Sequence, residues 1–75
     1  MGKLRVLSGR EVCNVLAQHG FAPVRHRGSP IVMQKKVQGS TITVPVPDHD
    51  EVRIGTLQSM IRQSGLPRAL FEEQF

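Results

Sequence analysis

The sequence predicts an α+β fold of order α-β-β-β-α: a three-stranded antiparallel sheet, both helices on one face, and a short C-terminal helix. Three observations predict it. A capped amphipathic segment opens the chain, two strand-like segments are joined by a Gln38-Gly39-Ser40 turn, and a second amphipathic segment closes it. The links between strands are too short for helical crossovers, which makes the sheet antiparallel. One sheet carrying both helices on the same face buries these stripes economically.

The first helix starts at Ser8. Its hydroxyl can accept from the Glu11 N–H while Glu11 reaches back to Ser8, and Leu7 and Val12 can close a hydrophobic staple around that box. Val12, Val15 and Leu16 share one face at helical spacing, and Gly20 ends the segment. His19 suits the negative end of the helix dipole and reads as structural. Phe21 to Arg27 is the first strand, with Pro23 confining it to an edge or a strand start. Ile31 to Val37 is the second, with Ile31 and Met33 on one face. Ser40 to Val46 is the third: Ile42, Val44 and Val46 alternate with Thr41, Thr43 and Pro45. A polar loop, Pro47-Asp48-His49-Asp50, leads to the second helix, whose buried stripe is Leu57, Met60 and Ile61. Gly65 stops it, and Leu66-Pro67 opens the short third helix, with Pro67 at its first position and Leu70, Phe71 and Phe75 as anchors.

A chain of 75 residues is expected to form one domain over residues 1–75, with a small core and marginal stability. Cys13 is the sole cysteine, so an internal disulfide and a paired-thiolate metal site are both excluded. It reads as a small helix residue. No signal peptide or membrane span is visible, and the expected location is the cytoplasm.

Charge is unevenly spread. Residues 1–47 hold seven Lys/Arg against Glu11 alone, whereas residues 48–75 hold three against five acids. Four of the basic residues lie between Arg25 and Lys36. Such a stripe suits a polyanion such as nucleic acid, and it equally suits a solvated strand face. The candidate RNA contacts are Arg25, Arg27, Ser29, Lys35 and Lys36; Arg53 and Arg62 are weaker candidates.

No phosphate-binding glycine loop, zinc spacing or Ser/His/Asp constellation is present. Glu72 and Glu73 read as a solvated terminal face, and His49 between Asp48 and Asp50 as a solvated or capping residue. The stretch Val24-Arg25-His26-Arg27-Gly28-Ser29 gathers two guanidinium groups, an imidazole and a hydroxyl. Metal-free RNA cleavage needs a proton acceptor for the 2′-OH and cations for the phosphorane, which these residue types supply. His26 is the catalytic candidate, although alternation places it with Val24 and opposite Arg25 and Arg27. With Val24 facing the core, His26 would be structural or interfacial.

The pieces Leu16-(x)3-Gly20-Phe21, Val24-Arg25-(x)2-Gly28-Ser29, Ile42-Thr43-Val44-Pro45-Val46 and Gly55-Thr56-Leu57-Gln58-Ser59-Met60-Ile61-Arg62-Gln63-Ser64-Gly65-Leu66 occur in this order and cover nearly all of the chain. In that arrangement the sequence resembles the HicA-type messenger-RNA interferases, the toxin halves of toxin–antitoxin pairs. The resemblance implies a double-stranded-RNA-binding-like fold, endonucleolytic cleavage of single-stranded RNA such as messenger RNA, and a HicB-type antitoxin partner. It implies no metal or organic cofactor, and the free protein is expected to be a monomer. One departure stands out. The family pattern runs Gly-Ser-His with the histidine catalytic, and here Gly28-Ser29 is followed by Pro30. The alternative class is therefore a catalytically degenerate module that binds RNA or an antitoxin.

Overall fold

The computed structural model describes residues 3–25 and 28–72, with only the backbone of Arg25 described. The elements run α1 (Gly9–Gln18), β1 (Ala22–Arg25), β2 (Ile31–Val37), β3 (Ser40–Val46), α2 (Ile54–Ser64) and η1 (Arg68–Phe71), the last a single 3-10 turn. This is the α-β-β-β-α order, and both strand pairings are antiparallel in the order β1-β2-β3.

α1 begins where the capping chemistry places it. The Glu11 N–H donates to Ser8 Oγ at 3.1 Å and the Ser8 N–H donates to Glu11 Oε1 at 2.9 Å. Those two bonds satisfy N–H groups that a helix start leaves without partners. Leu7 and Val12 on either side of the box are both buried.

The β2–β3 hairpin keeps one register throughout, from Ile31 opposite Val46 to Val37 opposite Ser40. Side chains on a strand alternate between faces, so Met33, Val44 and Val46 point together into the core. Leu16, Leu57, Met60 and Phe71 meet them there. Thr41, Thr43 and Pro45 lie on the opposite, exposed face, where Gln34 Nε2 donates to Thr43 Oγ1 at 3.3 Å. Both helices therefore cover one side of the sheet and leave the other open.

The first strand departs from expectation. Its register slips between Pro23, opposite Met33, and Arg25, opposite Val32, which makes Val24 the extra residue of a bulge. Val24 is 50% exposed and does not enter the core. A parity argument counted through Val24 thus loses its premise, and His26 and Arg27 lie outside the described residues.

The C-terminal segment is also simpler than expected. Pro67 precedes a single turn, as its cap, instead of occupying a first helical position. α2 ends at Gly65 with φ of 71°, a left-handed conformation that costs glycine least. Buried Ser64 secures that exit: its hydroxyl donates to the Ile61 carbonyl at 2.7 Å and accepts from the Leu66 N–H at 3.1 Å. The two ends of the described chain meet through the Arg5 N–H donating to the Phe71 carbonyl and a bridge between Leu4 and Glu72. Phe75 and Glu73 lie outside the described residues.

Candidate nucleic-acid interface

The region around Gly28-Ser29-Pro30 is set by a contact between distant segments. Ser29 Oγ accepts the Asp48 backbone N–H at 3.2 Å, which draws the turn after β1 against the loop after β3. That loop is in turn fastened to the start of α1. The Gly9 N–H donates to the His49 carbonyl at 2.9 Å, and the Val52 N–H donates to the Leu7 carbonyl at 2.7 Å. The approach is close enough to demand glycine. A Cβ on Gly9 would overlap the Pro47 carbonyl oxygen and stand 3.2 Å from Asp48 Cα.

Arg10, one residue further along α1, faces Asp48 with Nε 3.5 Å from Oδ1. The arginine side chain is 81% exposed, so the pair contributes little to stability and leaves most of the guanidinium open to an anion. Between α1 and the first two strands runs a shallow groove of about 280 Å³, lined by Arg10, Cys13, Asn14, Pro23, Ile31 and Met33. Ile31 follows Pro30 directly, so the groove opens beside the Gly28–Pro30 turn. Burial, followed by the Asp48 charge, raises the Cys13 thiol above its ordinary range. The thiol in this groove is protonated near neutrality and is a poor nucleophile.

Of the expected RNA contacts, Lys35 and Lys36 lie on opposite faces of β2. Lys35 belongs to the core side of β2, opposite Ile42. Its ammonium lies 5.9 Å from the centre of the Phe21 ring, a cation–π arrangement that covers the end of α1 near Gly20. Lys36, opposite Thr41, stands exposed on the open face. Ser29 and Pro30 are exposed at the turn. Arg25 contributes a described backbone only, and Arg27 and His26 lie outside the described residues. Arg53 is exposed at the start of α2, and Arg62 donates to Ser59 Oγ at 3.2 Å on the flank of that helix. Arg10 and Asn14 carry no local signal in the sequence, since single polar positions along a helix read as solvated ones. The groove sets them beside Pro23 and Ile31, the latter directly after Pro30.

Among the described residues no group of three or more His, Cys, Asp or Glu is placed to hold a metal ion. Nor is any described helix long and apolar enough to cross a membrane.

A family model described as the HicA toxin of bacterial toxin–antitoxin systems matches residues 9–66. The chain belongs to the HicA toxin family. The match runs from the first residue of α1 past the end of α2, so it includes the Ser29–Asp48 contact and the whole sheet. No curated protein and no solved structure matches this HicA-family chain. Membership makes the α-β-β-β-α layout the HicA-type, double-stranded-RNA-binding-like fold and makes the chain a toxin-family component of a toxin–antitoxin system.

Proposed function

We propose that this HicA-family chain is an endoribonuclease that cuts single-stranded RNA, such as messenger RNA, without a metal ion. A HicB-type antitoxin is its restraining partner. The single observation that supports this reading best is the exposed Arg10 guanidinium beside the groove at the Gly28–Pro30 turn. An arginine offers planar, permanently charged donors to a phosphate. Arg25, Arg27, Ser29 and Lys36 extend the contact along the backbone of the RNA. Lys35 stands apart, because its charge is spent over Phe21. His26 is the proton-transfer candidate carried from the sequence. The chain is proposed to act as one domain, in the cytoplasm, and as a monomer when free of its antitoxin.

Pro30 supports a second reading. Proline has neither a proton to give nor a side-chain acceptor, and loss of positioned acid–base help costs about 10²–10⁴ in rate. On that reading the chain holds RNA or an antitoxin without cutting. Purified protein incubated with a long unstructured RNA in EDTA, beside its Pro30→His variant, separates the two. Cleavage by the native chain supports the nuclease. Cleavage by the variant alone supports the binding module.

A further inference from the structure

We propose that His49 is a catalytic residue of this site and supplies the imidazole that Pro30 does not. The inference rests on the RNA-cleaving reading above and names His49, in place of the sequence candidate His26, as the group that moves the proton.

The Ser29–Asp48 hydrogen bond joins the residue before position 30 to the residue before His49. The main chain of His49 is tied on both sides: its N–H donates to the Pro47 carbonyl at 2.9 Å, and its carbonyl accepts from the Gly9 N–H at 2.9 Å. Its side chain, by contrast, is exposed and makes no hydrogen bond or ion pair among the described residues. The fixed backbone limits where the imidazole can reach, and its ring nitrogens are free to meet a substrate proton that would itself help to orient the ring. Asp48 faces this end of the molecule but is engaged by Arg10, while Asp50 and Glu51 follow in the same loop and Ser29 faces it from the turn. His19 stands past the far end of α1, about 15 Å away at the helical rise for ten residues. Among the described residues, His49 is the histidine whose backbone bonds to the start of α1, one residue from Arg10.

The chemistry balances with no cofactor. The neutral imidazole of His49 takes the proton of a ribose 2′-OH as that oxygen bonds to phosphorus. Arg10 and the Ser29 hydroxyl hydrogen steady the charge on the phosphorane oxygens. The bond from phosphorus to the 5′-oxygen breaks, and that oxygen takes a proton from water. The imidazolium then returns its proton to the hydroxide so formed. The products are a 2′,3′-cyclic phosphate and a 5′-hydroxyl.

The test follows cleavage of an end-labelled unstructured RNA in EDTA, with affinity for the same RNA measured in parallel. The native chain, His49→Ala, His49→Gln, His26→Ala and His19→Ala are compared across pH. The expected result is a rate loss of about 10²–10⁴ in both His49 variants, with RNA affinity and fold retained and the His19 variant unchanged. The remaining activity should also lose the limb of its pH profile that reports the base. Native cleavage that survives in both His49 variants overturns this inference and leaves the nuclease reading standing. An inert native chain overturns both.

Discussion

Ser29 Oγ and the Asp48 N–H, 3.2 Å apart, join the turn after β1 to the loop after β3, where Asp48 also pairs with Arg10 on the edge of the groove. Ser29 spends a lone pair on this bond and keeps its hydroxyl hydrogen for a ligand. Ser29→Ala should cost about 0.5–1.5 kcal/mol in urea unfolding. It should also speed exchange of the Asp48 amide, read by NMR, while the Glu11 amide in the capping box stays protected. Equal protection of Asp48 in both proteins would show that the contact does not hold the loop.

Gly9 gives a prediction of sign. Replacing glycine in a helix by alanine ordinarily stabilises by about 0.5–1 kcal/mol. Here the added carbon meets the Pro47 carbonyl, so Gly9→Ala should destabilise by about 1–3 kcal/mol, the usual cost of overpacking. Denaturant midpoints for the two proteins decide between these outcomes, and a more stable variant would mean that the loop yields readily.

How much of this was legible in the sequence depended on distance along the chain. The β2–β3 hairpin was read to its end residues because alternation and the Gln38–Gly39 turn are local signals. The capping box was equally local. The bulge at Val24 was not, since it reflects how β1 fits beside Met33 and Val32, and an unbroken alternation was counted through it. Nor could the basic stripe reveal that adjacent Lys35 and Lys36 serve opposite faces with different tasks. Ser29 is legible from the sequence, but Arg10 and His49 lie in other segments that only the folded backbone joins to it, so residue type alone favours the compact Arg25-His26-Arg27 run.

The two lysines should separate in experiment. Lys36→Ala should weaken single-stranded RNA binding and flatten the slope of log affinity against log salt by about 0.7, the value for one phosphate contact. Lys35→Ala should leave that slope unchanged and lower stability by roughly 0.5–1 kcal/mol through loss of the Phe21 contact. An identical salt response in both variants would refute the division of labour.

The Glu11 carboxyl has a lowered pKa, first because it accepts the Ser8 backbone N–H, then through its bond with the Ser8 side chain, with Arg5 adding a smaller pull. A group with a depressed folded pKa stabilises above its unfolded value, about 4.3, and loses that contribution as pH falls through the folded one. Thermal stability should therefore fall on acidification below about pH 4.3 more steeply in the native chain than in Glu11→Gln. Parallel acid profiles would place the helix-start stability elsewhere.

The central claim, that this HicA-family chain cuts RNA by its own side chains, is tested most directly by the ends it leaves. A long unstructured RNA incubated with the purified chain in EDTA should yield fragments ending in 2′,3′-cyclic phosphate and beginning with 5′-hydroxyl. Intact RNA, or fragments beginning with 5′-phosphate, would contradict the account.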